Sequence, residues 1–162
     1  MDIPYLTPLP VDMLRRLGIP SDWNFGLADR VRFSELDALG HVNNAAYLSW
    51  FENVRLPYLA QARVTDYGPS APRLVIAELG VRYLKEMLRG EVYVLTARTA
   101  SYRNSSFQTD YAVFRITDST AELTCSSRAA IVLRSRDGTG KLPIPDAAIA
   151  HFTRVDGATK ET

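Results

Sequence analysis

Apolar residues recur at spacings of three and four from Tyr47 through Trp50, Phe51, Val54 and Tyr58 to Leu59. That period predicts one helix, starting at Asn43 or Asn44 and running to about residue 62. Leu48, Leu56 and several alanines widen the stripe, so the helix is expected to be buried on most sides. Pro57 removes one internal hydrogen bond, which predicts a kink or a loosening of the last turns. Just upstream, charged and apolar residues alternate over 28–33 (Asp29, Arg30, Val31, Arg32, Phe33), the pattern of a half-buried strand. Downstream, residues 74–84, 91–102, 106–117 and 122–134 are rich in β-branched and aromatic types and separated by short polar breaks. Breaks that short connect antiparallel neighbours. The runs are about twice the usual strand length of about five or six residues, as in a strongly curved sheet. One strand, one buried helix and four successive strands make an α+β domain, the sheet curling around the helix. The outer face of that sheet must be polar or meet a partner.

The ends of the chain read differently. Residues 1–26 hold Pro4, Pro8, Pro10 and Pro20, which allow extended segments and at most one short helix near 11–17. Trp23 and Phe25 are expected to dock this leader on the single domain spanning 27–155. A short helix is predicted near 146–152, and a flexible, frayed tail over 156–162.

Composition narrows the function classes. Apolar residues make up 46% and charged residues 23%, a globular rather than a disordered balance. A net charge of +1 gives no reason to expect a nucleic acid or an anionic membrane as partner. One cysteine, Cys125, allows no internal disulfide and fits a reducing compartment. With no signal-like start and no apolar run of membrane-spanning length, the expected address is cytoplasmic. His41, His151 and Cys125 form no cluster with metal-ligand spacing, so no metal site is expected. Neither a G-x-S-x-G elbow nor a P-loop occurs.

The chemistry gathers in the stretch 31–58. Asp37 and His41 lie in the loop ahead of the helix, whose first N–H groups carry partial positive charge. A carboxylate beside such a helix end can serve as base or nucleophile next to an oxyanion site. Asp37 is equally the residue type of an Asx-turn, and His41 that of a hydrogen-bonded structural residue. Glu35, the rival carboxylate, sits nearer the strand and is read as a solvated side chain. The turn Arg103-Asn104-Ser105-Ser106 is a hairpin that could also hold a phosphate.

The run Asp37-x-x-Gly40-His41-x-Asn43-Asn44-x-x-Tyr47, continuing to Glu52 and Arg55, resembles the signature of hotdog-fold thioesterases, closest to the 4-hydroxybenzoyl-CoA and short-chain acyl-CoA branch. The likeness extends over residues 28–145. It implies a curved antiparallel sheet wrapped around one long helix, with protomers pairing edge to edge into a homodimer or homotetramer and active sites at the interface. It implies hydrolysis of an acyl-CoA to free acid and CoA, with no cofactor beyond the CoA of the substrate. By the resemblance, Asp37 is nucleophile or general base, the Asn44 N–H polarises the thioester carbonyl, and His41 assists. Arg103 and Ser106 match positions that contact the nucleotide phosphates of CoA. Tyr47, one turn into the helix, would wall the acyl pocket or serve the core. Acyl-carrier-protein thioesterases share the Gly-His-x-Asn-Asn variant but carry an asparagine where this chain has Leu39, which argues against importing their mechanism whole. The competing functions are therefore an acyl-carrier-protein thioesterase and a non-catalytic acyl-CoA-binding domain.

Overall fold

The computed structural model describes residues 2–162. Its elements in chain order are α1 (Val11–Arg16), β1 (Gly26–Arg30), α2 (Asn44–Gln61), β2 (Arg73–Tyr83), β3 (Val92–Tyr102), β4 (Ser106–Thr117), β5 (Thr120–Arg134), α3 (Asp146–Arg154) and β6 (Thr159–Lys160). The strands form one sheet in the order β1-β3-β4-β5-β2, antiparallel throughout, with the short β6 added parallel to β3. Register shifts interrupt β2 at Ile76/Glu78 and β3 at Thr99/Ser101, and Thr124 is the extra residue of β5 opposite Val113/Phe114. Such bulges increase local twist and help a sheet curl. This is the hotdog arrangement: a curved sheet on one side of a long helix.

Burial of one stripe sets the position of α2. Tyr47, Trp50, Phe51, Val54, Tyr58 and Leu59 are buried against the concave face, where Trp50 stacks on Tyr93 at 4.2 Å and Phe51 meets Tyr111 at 5.3 Å. The helix continues through Pro57 to Gln61. It is not buried on most sides, however. Leu48 is 46% and Leu56 44% exposed, because the sheet ends at edge strand β2 and does not wrap around that flank.

The outer face is only partly polar. Leu9, Leu14, Leu17 and Ile19 of the leader pack on Ala28, Val94, Ala112 and Phe114 of β1, β3 and β4, and Trp23 meets Phe114 edge-on. Phe25 instead joins the main core beside Tyr58. The first strand is shorter than its alternation suggests. After Arg30 the chain leaves the sheet, and Phe33–Glu35 form a 3-10 turn with Phe33 exposed. The reason is Glu35, which is not a solvated side chain. Its carboxylate accepts hydrogen bonds from the Arg32 backbone N–H at 2.7 Å and from Trp50 Nε1 at 2.8 Å.

Nor does the tail fray at Asp156. One oxygen of the Asp156 carboxylate accepts hydrogen bonds from the Tyr58 hydroxyl at 2.5 Å and the Thr99 N–H at 3.2 Å. Beyond it, β6 pairs with Ser101 and Tyr102. Burial raises the Asp156 pKa above the usual carboxylate value, opposed by hydrogen bonds from Tyr58 and Thr99 and by the charges of His151 and Arg98. An acid whose folded pKa lies above its unfolded value binds its proton more tightly in the native state. Its contribution to stability is present below the unfolded value of about 4 and is lost as pH rises through the folded value. Asp156→Asn, which keeps an oxygen for both donors, should therefore flatten the pH dependence of stability above about pH 4 in urea melts. Tyr58→Phe should cost about 1–3 kcal/mol in the same melts, because it leaves a partly buried carboxylate short of a donor.

Candidate functional site

The loop between β1 and α2 is built by backbone hydrogen bonds. The Asp37 N–H donates to the His41 carbonyl at 2.8 Å, and the Gly40 N–H to the Asp37 carbonyl at 3.1 Å. The turn needs a residue with φ of +80° at position 40, and glycine takes it without strain. Leu36 and Val42 bridge across the loop, and the Val42 N–H reaches the Met87 carbonyl. The Asn43 N–H donates to the Glu35 carbonyl at 2.8 Å. Both ends of the loop are thereby tied down before the helix begins.

Asn43 caps that helix. It has extended backbone, and its Oδ1 accepts from the Ala45 N–H at 2.8 Å while its carbonyl accepts from the Ala46 N–H. Asn44 is the first helical residue, and among the described residues its N–H finds no acceptor. One oxygen of Asp37 accepts from the Leu39 N–H at 2.9 Å and the His41 N–H at 3.2 Å. This is the Asx-turn anticipated for a bland role, yet it leaves the other carboxylate oxygen free of protein donors. The two readings of Asp37 are thus compatible: the turn holds one oxygen and aims the other.

Asp37, His41, Asn44 and Tyr47 line one cleft of about 320 Å³, closed on its far side by Tyr83, Leu84, Lys85 and Glu86. The His41 imidazole does not touch the Asp37 carboxylate. Its Nε2 lies 3.2 Å from Glu86 Oε2. Tyr47 is both core and wall. Its ring packs on Trp50 and Tyr83, and burial drives its hydroxyl pKa far above the ordinary phenol value, so it stays a proton donor. The Tyr83 hydroxyl donates to the Asn44 carbonyl at 3.0 Å, tying the end of β2 to the first residue of α2.

Arg103 and Ser106 do not join this cleft within one chain. They lie in the β3–β4 hairpin, around a separate hollow of about 90 Å³. The start of β3 lies beside the Asp37 loop, where the Val31 N–H bonds the Glu91 carbonyl, and Arg103 follows its other end. Eleven strand residues separate the two by about 35 Å. Arg103 Nε donates to Glu161 at 3.0 Å, and Ser101 also bonds that carboxylate. The sequence reading missed Tyr83, Leu84, Lys85 and Glu86, which only the return of β2 brings to the helix start. The adjacent charges of Lys85 and Glu86 were the sole local signal, and nothing in their spacing linked them to Asp37. Among the described residues no group of three His, Cys, Asp or Glu side chains is placed to hold a metal ion, and no helix is long and apolar enough to cross a membrane.

A solved thioesterase-superfamily structure from Jannaschia sp. CCS1 is 52% identical, with a TM-score of 0.92, over 96% of this chain and 97% of that one. A thioesterase from Thermus thermophilus, solved with coenzyme A and zinc, is 28% identical with a TM-score of 0.67, over 82% of this chain and 93% of that one. A chloroplastic acyl-acyl carrier protein thioesterase of Arabidopsis thaliana is 28% identical over 89 residues, 54% of this chain and 47% of that protein. This chain spans about half the length of the curated relatives it matches. The family model described as the thioesterase-like superfamily matches residues 31–152, three quarters of the chain, and the chain belongs to that superfamily.

Proposed function

We propose that this chain hydrolyses an acyl-CoA thioester to the free acid and CoA. The observation that carries the proposal is the convergence, in one cleft, of a carboxylate oxygen without protein donors on Asp37 and an unpaired N–H at the start of an 18-residue helix. The thioester carbonyl oxygen sits at the Asn44 N–H, where the helix dipole favours the negative charge that develops. The free Asp37 oxygen takes a proton from water as the water oxygen bonds to the carbonyl carbon. Alternatively it bonds to that carbon itself, forming a mixed anhydride that water then opens. In either case the carbon–sulfur bond breaks and CoA departs as thiolate. His41, steadied by Glu86 in the same cleft, is the donor available to it. No cofactor is required of the chain. The coenzyme A bound by the Thermus thermophilus protein supports CoA as carrier.

The working unit in this proposal is a homodimer, alone or within a homotetramer. Strand β2 is the sheet edge, largely exposed along its length, and it adjoins the uncovered flank of α2. Its Tyr83 end lines the Asp37 cleft, whereas its Arg73 end pairs with Arg134 at the same end of the sheet as Arg103. Antiparallel pairing of two β2 edges would reverse one protomer against the other. The hairpin carrying Arg103 and Ser106 would then lie at the end of the partner's sheet that holds Asp37. That supports a phosphate-binding role for the hairpin across the interface, with Glu161 giving way to the nucleotide.

A carrier-protein substrate is the second reading, favoured by the Arabidopsis thaliana relative. Rates on an acyl-CoA and on the same acyl group carried by acyl carrier protein would separate the two. A higher kcat/KM on the protein carrier would overturn the choice of CoA.

Asp37→Asn should lower kcat on acyl-CoA by about 10²–10⁴-fold, with an unchanged thermal melt. Undiminished turnover would remove Asp37 from the mechanism. Mixing inactive Asp37→Asn with Arg103→Met should restore about one quarter of wild-type activity, assayed well below KM, since half of the dimers are mixed and each holds one intact site. No recovery after subunit exchange would show that Arg103 does not act across the interface.

A further inference from the structure

The hairpin between β3 and β4 is already occupied by an anion, and that anion belongs to the chain itself. Ser101 pairs with Gln108, and Tyr102 with Phe107. Tyr102 and Phe107 are buried, so the strand alternation puts Ser101, Arg103, Ser106 and Gln108 together on the outer face. Glu161 lies among them. One oxygen of its carboxylate accepts from the Ser101 hydroxyl, and the other from Arg103 Nε at 3.0 Å. Ser106 and Gln108 line the same hollow of about 90 Å³ and bond neither oxygen. Arg128, held by Asp110, faces Glu161 across an adjoining hollow of about 360 Å³. The Ser101 hydrogen bond, with the charges of Arg103 and Arg128, holds the Glu161 carboxyl below its usual pKa. The group on Arg103 is thus an ionised carboxylate.

The segment that delivers this carboxylate is firmly held at one end only. Asp156 is fixed by Tyr58 and Thr99, and the Ala158 N–H donates to the Phe152 carbonyl at 2.8 Å. Between them Gly157, at φ +69°, turns the chain toward β3. Ala158 is the last buried residue. Beyond it come only the two exposed residues of β6 and one hydrogen bond from the Glu161 N–H to the Tyr102 carbonyl. Residues 159–161 can therefore lift without disturbing Asp156 or the core. An exposed carboxylate–guanidinium pair is worth little, and little is needed for it to compete. If the pair is closed for about three quarters of the time, the apparent affinity of any other anion for Arg103 falls about fourfold. A phosphate carries more charge and more acceptor oxygens than a carboxylate, so it is the stronger partner for the same donors.

We propose that residues 159–161 are a displaceable strap, whose Glu161 carboxylate competes with the nucleotide phosphates of CoA for Arg103 and so sets the affinity for CoA carriers. This rests on the phosphate-binding reading of the hairpin, to which it adds a built-in competitor.

Calorimetric titration of the full chain with CoA, which is not turned over, reads the competition whether or not a thioester is cleaved. Glu161→Gln, which keeps the size of the side chain and removes its charge, should tighten CoA binding by about three- to tenfold. The same change should lower KM for an acyl-CoA with kcat unaltered. KM for the matched acyl-pantetheine, which lacks the nucleotide, should not move. Arg103→Met should weaken CoA binding, and Glu161→Gln added to it should bring no gain. Should Glu161→Gln melt early, Glu161→Ala supplies the comparison and should show the same gain. Unchanged CoA affinity in Glu161→Gln, with a loss in Arg103→Met, would overturn the strap and leave the phosphate reading standing. Unchanged affinity in Arg103→Met would overturn both. Glu78 lines the adjoining hollow without bonding Arg103. An equal gain from Glu78→Gln, or an equal gain on acyl-pantetheine, would also overturn the strap, since neither change frees Arg103 for a phosphate.

Discussion

Glu35 joins the chemistry to the fold. Its carboxylate accepts from Arg32 and from Trp50, and its carbonyl accepts from the Asn43 N–H. Trp50 is stacked on Tyr93 in the middle of the concave face, so the position of Glu35 is set by the core rather than by solvent. The loop bearing Asp37 starts at Glu35 and returns to it at Asn43. A flexible loop would let the Asp37 oxygen sample many positions relative to the Asn44 N–H. Closed on this anchor, it samples few, and the catalysis proposed for Asp37 depends on that restriction. A partly buried carboxylate would be costly on its own, but here each oxygen has a donor.

The helix is only half covered, and this shapes the rest of the molecule. A sheet of four long strands and the shorter β1 curls over the stripe from Tyr47 to Leu59 and stops at β2, leaving Leu48 and Leu56 in the open. A strand edge with free N–H and C=O groups lies beside that apolar flank, a surface that stable proteins rarely leave bare. The same incompleteness accounts for the distance between the Asp37 cleft and the Arg103 hairpin. Two features that belong to one reaction in the proposal lie at opposite ends of one sheet, and an antiparallel twofold pairing brings opposite ends together.

Much of this was legible in the residues because it is local. The period of three and four located α2, the cap preference of asparagine located its start, and β-branched runs located β2 to β5 within two residues. What the pattern could not show depends on contacts between distant segments. Glu35 looked solvated because its partner Trp50 is fifteen residues away around a loop. Asp156 looked like the start of a frayed tail because its donors, Tyr58 and Thr99, come from α2 and β3. The width of the apolar stripe suggested burial on most sides, but the sheet covers the helix on one side only. The Asp37 cluster was visible because four of its residues fall within eleven positions. Tyr83 to Glu86 were not, since only the β2–β5 pairing returns them to the helix start.

Polar groups are treated differently at two neighbouring places along α2. At the far end the Tyr58 hydroxyl has two partners, Thr99 and Asp156, and the tail is held by them. One turn earlier, on the flank facing β2, the hydroxyls of Tyr111, Thr109 and Ser127 are buried without any. Both clusters lie inside the same sheet, so burial alone does not explain the difference. A fold selected only for stability would fill the second place with apolar side chains, since unpartnered buried hydroxyls cost more than they contribute.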